Sequence, residues 1–161
     1  ITKLKSATSF NVNYEPLARY KRFKKLFFPI RILCPRVGIL TYDGQALGGP
    51  YLDAIGVARD TPIVGMQPDS HFVRWISQAD NTIPFATLRD DVVAAARRLR
   101  TQHPEVGAIV CECTNMPPFS RAIHDALQIP VFDVVTMVRW FQASLCPPRY
   151  DACDDEARSH W

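Results

Sequence analysis

The sequence predicts an α/β domain: a small parallel sheet of about four strands flanked by helices. Three observations carry that expectation. Compact apolar runs alternate along the chain with segments of helical period. The runs are apolar throughout instead of alternating with polar residues, as strands covered on both faces are. Each run also ends in residues that turn the chain or cap a helix. With 161 residues, the chain can build one such core with its own interior.

The elements follow in order. RVGILTY, with Val37, Ile39 and Leu40, is a buried strand that stops at the turn-forming Asp43-Gly44. A short helix is expected around Pro50 to Ile55, with Pro50 in its first turn. TPIVGM is a second strand, after which Asp69-Ser70 can cap a helix carrying Phe72, Trp75 and Ile76 on one face. ATLRDDVVAAARRLRTQH is the clearest helix. Leu88, Val92, Ala95, Ala96 and Leu99 form one apolar stripe, Thr87 can cap it, arginines gather at its end and Pro104 stops it. VGAIVCE is a third strand, and Phe119 to Leu127 a helix with Ala122, Ile123 and Ala126 inward. PVFDV is a fourth strand and TMVRWFQASL a last helix.

This regular pattern covers residues 36–146. Residues 1–35 read as a basic leader and 147–161 as a polar tail. Through Arg36 the chain holds nine Lys/Arg against one acid, Glu15, while the remainder holds ten basic and fifteen acidic residues. The overall net charge of +3 therefore belongs to the leader. Its basic and aromatic residues fit a nucleic-acid or membrane-surface patch, a degraded signal core or a plain linker, and the plain linker is favoured. No apolar run reaches the ~18–20 residues of a membrane helix. Five cysteines at irregular spacing do not make a secreted disulfide framework. The expectation is a soluble, cytoplasmic protein with reduced thiols and no nucleic-acid or membrane partner.

The stretch VGAIVCECTNMPP, Val106 to Pro118, holds the chemistry. Cys113 falls where a strand ends and a helix is about to begin. Backbone N–H groups at a helix start favour an anion, and the same field stabilises a thiolate. Thr114 and Asn115 add short polar groups, and Pro117 and Pro118 suit a first helical turn. Composition and spacing leave Cys113 evenly balanced between packing and acid/base work, while Cys111, inside the strand, is most simply core. A zinc site would need about four ligands at characteristic spacing, and no second Cys/His pair supplies them, so no metal is expected. His71, His103 and His124 fit surface or helix-end positions. Asp133 either serves a site at its strand's end or caps the next helix. GQALGGP lacks the dinucleotide spacing, so neither NAD nor ATP is implied.

VGAIVCECTNMPPFSRAI followed by LQIPVFDVVTMVRWF resembles the second half of the aspartate/glutamate/hydantoin racemase superfamily, on the motifs ECTNMPP and PVFDVVT. The resemblance spans about residues 36–145. It implies one lobe of a two-lobed fold and an isomerase: cofactor-independent proton transfer at the α-carbon of a small amino acid or related carboxylate. Cys113 would be the thiolate acid/base, Thr114 and Asn115 would hold the substrate, and Thr41 would add a further contact. Two-base racemisation needs a partner cysteine, and Cys34, in RILCPRVG, does not end a strand before a helix. Two other readings therefore stand beside racemisation: a truncated, non-catalytic lobe and a single-cysteine decarboxylase. A homo-oligomer or a separate first lobe would cover the face left open.

Overall fold

The computed structural model describes Ile30, Cys34, residues 36–145 and Pro147. The expected tail lies outside the described residues but for Pro147, and the expected leader but for Ile30 and Cys34. Strands β1 (Val37–Thr41), β2 (Ile63–Gly65), β3 (Ala108–Cys111) and β4 (Val131–Phe132) form one sheet in the order β2-β1-β3-β4. All three pairings are parallel, with Leu40 opposite Cys111 and Thr41 opposite Gly65. The helices are α1 (Gly49–Ile55), α2 (His71–Gln78), α3 (Phe85–Gln102), α4 (Ser120–Leu127) and α5 (Val134–Leu145). The sequence-derived α/β architecture is the observed one.

Successive strand residues point to opposite faces, so the sheet has two cores. Leu40, Ile109 and Cys111 pack with Phe72 of α2, the Leu88–Leu99 stripe of α3 and Ile123 of α4. Val37, Ile39, Ala108 and Val110 pack with Tyr51, Leu52 and Ile55 of α1 and Met137 of α5. Ile30 is buried in this second core, with Cys34 against it. All five residues of the predicted α3 stripe are buried, because a period of 3.6 brings them onto one face against the sheet.

Local chemistry explains the element ends. Ser70 caps α2 by accepting from Val73 N at 3.3 Å. Pro50 lies in the first turn of α1, and Gly56 ends that helix at φ 68°. Thr87 is not the cap of α3: the helix begins at Phe85, with Pro84 in the capping position and no side-chain cap. Asp91, one turn further on, instead accepts from Phe72 N at 3.0 Å and so helps cap α2 from the neighbouring helix. Arg100 closes the other end of α3 by donating to the carbonyls of Pro104 and Val106, where the chain turns into β3.

The strand order fixes where a ligand can sit. From β1 the chain crosses to β2 on one side, whereas β3 lies on β1's other side. Ligand crevices in such sheets open between the strands where the order reverses, at their carboxyl ends. Here those are the ends of β1 and β3: Thr41 on one, and Glu112-Cys113 on the other.

Candidate functional site

β3 ends at Cys111, and Glu112 continues its ladder by donating its N–H to Leu40 O at 2.8 Å. The chain then bends. Met116 N donates to Cys113 O at 3.0 Å and Phe119 N to Met116 O at 2.9 Å, two tight turns that lead through a 3-10 turn (Pro117–Phe119) into α4. Pro117 and Pro118 sit at the start of that turn, as their fixed φ favours. The prolines also remove donors expected there, since neither carries an N–H. No hydrogen bond among the described residues uses Thr114 N or Asn115 N. This exposed turn, one and two residues past Cys113, is therefore where backbone donors remain for an anion.

The two cysteines of the stretch share a cluster but differ in chemistry. Cys111 is 3% exposed and Cys113 7%, both within the core facing α2, α3 and α4. Burial first, and then the charge of Asp133, push the Cys111 thiol up to about 12; the Ser120 hydrogen bond pulls the other way and Cys113 adds a further upward push. Cys111 is thus a neutral thiol across the physiological range and cannot be the base. Cys113 stands at the strand's end with Met116 and Phe119 around it.

Thr41 does not sit beside Cys113 on that face. Leu40 belongs to the α2–α4 core, so alternation turns Thr41 to the other side of the sheet. Thr41 is 1% exposed and donates from Oγ1 to Glu112 Oε2 at 2.8 Å. Glu112, itself buried, was not singled out from the sequence. Its only sequence signal is a charged residue at the end of an otherwise apolar strand. Thr114 and Asn115 are exposed on the turn. The predicted residues therefore divide into a thiol on one face, a Thr41–Glu112 pair on the other and an exposed turn between.

Asp133 is the second buried acid. It accepts from Ser120 Oγ at 2.5 Å through Oδ2, and from Thr136 N at 2.8 Å and Thr136 Oγ1 at 3.2 Å through Oδ1. It therefore caps α5 while tying the start of α4 to the end of β4. Cys34 lies at the wrong end of the sheet for a partner base. Its sulfur is 3.9 Å from Gly107 O, just before β3 begins, so the strand's length, about 13 Å at ~3.3 Å per residue, separates it from the carboxyl end. Among the described residues no group of three or more His, Cys, Asp or Glu gathers as a metal site, and no helix is long and apolar enough to cross a membrane.

A parallel doubly wound sheet with a thiol and a buried carboxylate at its switch point defines the class of site. Known proteins then give the particular likeness. No family model matches the chain. Dimethylsulfoniopropionate lyase 5 of Emiliania huxleyi is 38% identical over 147 residues, covering 80% of this chain and 29% of that protein. Dimethylsulfoniopropionate lyase 7 of the same organism is 27% identical over 172 residues, covering 93% of this chain and 50% of that protein. A dimethylsulfoniopropionate lyase of Durusdinium sp. clade D matches over 50 residues at 36% identity, covering 17% of its own length. The chain spans half or less of each of these relatives.

These findings overturn the racemase reading. The curated relatives are named as lyases, not as isomerases of amino acids, and no family model supports racemase membership. The physical reason agrees. Inversion needs an acid and a base on opposite faces of one carbon, and Cys34, the third described cysteine, cannot reach Cys113. The single-cysteine decarboxylase reading fits better, because breaking a bond needs one base or none where inversion needs two groups.

Proposed function

We propose that this chain is the thiol-bearing lobe of a lyase that eliminates dimethyl sulfide from dimethylsulfoniopropionate, with Cys113 as the base. The chemistry needs one proton removed. The Cys113 thiolate takes a proton from the carbon next to the carboxylate, the C–H pair becomes the new C=C bond, and the C–S bond breaks. Dimethyl sulfide leaves with that bond's electrons, acrylate remains, and the thiol returns its proton to water. No net oxidation or reduction occurs, so the step calls for no electron carrier. The Thr114 and Asn115 N–H groups would bind the substrate carboxylate and the charge that builds on it as the proton leaves.

The observation that carries this reading is the lyase 5 match. An alignment covering 80% of 161 residues must include the middle of the chain, and hence both Thr41 and Cys113. One base at a strand end is also what the elimination asks for. The irregular cysteines favour a reducing, cytoplasmic setting, and the substrate partner is a small zwitterionic carboxylate.

The test is to supply dimethylsulfoniopropionate and follow dimethyl sulfide by gas chromatography and acrylate by proton NMR. Cys113→Ser should lower the rate by about 10²–10⁴-fold. Equal release from the variant would remove Cys113 from the mechanism. No release from the unaltered chain would remove the lyase reading itself.

A further inference from the structure

We infer that the open face of α5 is the docking surface for a second copy of this chain, with the two α5 helices side by side and antiparallel. Six large hydrophobic side chains are exposed among the described residues, and five of them stand on this one helix: Val135, Val138, Trp140, Phe141 and Leu145. The sixth, Phe85, already stacks on Phe119 at 4.8 Å. The outer surface of α3 exposes the charges of Asp90 and Arg97, as a helix facing water does. By contrast α5 has a single charge, Arg139, and no acid.

The helix matches itself when reversed. Val138 and Leu145 lie three residues before and four after Phe141. An antiparallel copy therefore brings Val138 of each chain to Leu145 of the other, and Phe141 to Phe141. The same arrangement staggers the two Arg139 side chains, whereas parallel helices would set these like charges at one level. The area is of the right order as well. From their exposed fractions the five side chains offer roughly 400–500 Å² of apolar surface per chain. A standard interface takes about 800 Å² from each partner, somewhat more than half of it apolar.

The composition favours a protein over a lipid surface. Aromatic side chains are enriched at protein contacts and Lys, Glu and Asp depleted. Helices that lie on membranes carry Lys and Arg along their polar face, and α5 has Arg139 alone. Asp133 caps the first turn of α5 by accepting from Thr136 N, so the face is presented preformed. Val134 and Met137 fix the helix in the core with α1, on the sheet face opposite the one that holds Cys113. Pairing through α5 therefore does not call on the Cys113 turn, and it holds whatever the substrate is.

Sedimentation equilibrium of the full chain tests the pairing. The unaltered chain should dimerise at micromolar concentration. Val138→Lys and Leu145→Glu each set a charge against an apolar side chain of the other copy and should weaken the dimer by about tenfold or more. Both positions are exposed in the single chain, so both variants should fold. Mixed in equal amounts, the two variants should form a heterodimer tighter than either variant alone by about tenfold or more. Antiparallel pairing then sets the new ammonium against the new carboxylate, and leaves Val138 opposite Leu145 at the other end. A monomeric unaltered chain at micromolar concentration would leave the face to a partner of another sequence and overturns the inference. So does a dimer that neither substitution weakens, and so does a mixture no tighter than its components.

Discussion

Cys111 shows how closely two identical side chains can be placed and still differ. It lies two residues before Cys113 and in the same cluster, but burial and the neighbouring Asp133 hold its proton, with its thiol pushed up to about 12 from an ordinary 9.0. That shift is also a statement about stability. An unfolded chain's thiol ionises near 9 and gains from doing so while the folded thiol still cannot. Folding stability from Cys111 is thus fully present below about pH 9 and is lost as pH rises towards 12, by up to about 4 kcal/mol. Denaturant titrations at pH 8 and pH 10.5 should therefore show a smaller pH-dependent loss in Cys111→Ser, whose hydroxyl does not titrate, than in the unaltered chain. An equal loss in both would mean that Cys111 is not held neutral by the fold. From the sequence Cys111 reads as core, and it is. The Asp133 charge beside it could not be read there, because Asp133 lies twenty-two residues away on another strand's end.

At the scale of elements, the loop after β1 is held to the end of β2 by two glycines. A side-chain carbon on Gly65 would overlap the backbone N of Gly44, and one on Gly44 would come within 2.9 Å of Gly65 N. Both Thr41 O and Tyr42 O accept from Met66 N, at 3.1 and 3.2 Å, which fixes the same junction. Because the loop leaves directly from Thr41, the contact also sets the course of the chain beyond the end of β1. Gly65→Ala should cost about 2 kcal/mol or more, since backbone and not a flexible side chain must move. A melting temperature within a degree or two of the unaltered protein's would show that the loop is free to shift. The sequence offered Gly44 as a turn residue and Gly65 only as part of the strand TPIVGM. Their true constraint is an approach between segments more than twenty residues apart, which no local pattern encodes.

For the whole molecule, the open feature is α5. Met137 is its buried residue, whereas Val135, Val138, Trp140, Phe141 and Leu145 are exposed large hydrophobic side chains. Val138, Phe141 and Leu145 recur at spacings of three and four and so share a face. A contiguous apolar face of this kind favours association. Sedimentation at micromolar concentration should show species larger than the monomer, and Val138→Glu with Phe141→Lys should shift the balance to monomer. A monomer before substitution would mean that the face is tolerated in water.

What the sequence determined by itself is the alternation of strands and helices, the α3 stripe and the placement of Cys113 at a strand's end. Each rests on local period or on adjacency along the chain, and local physics enforces both. Tertiary structure decided the rest. Parallel pairing of β1 with β3 brought Thr41 to Glu112 across seventy-one positions of sequence. Strand alternation turned that pair away from the Cys113 face. The helix packing that buries Cys111 beside Asp133 left Cys113 as the thiol with a case for chemistry. Distances between residues far apart in sequence are set only when the sheet closes, and the site is made of such distances.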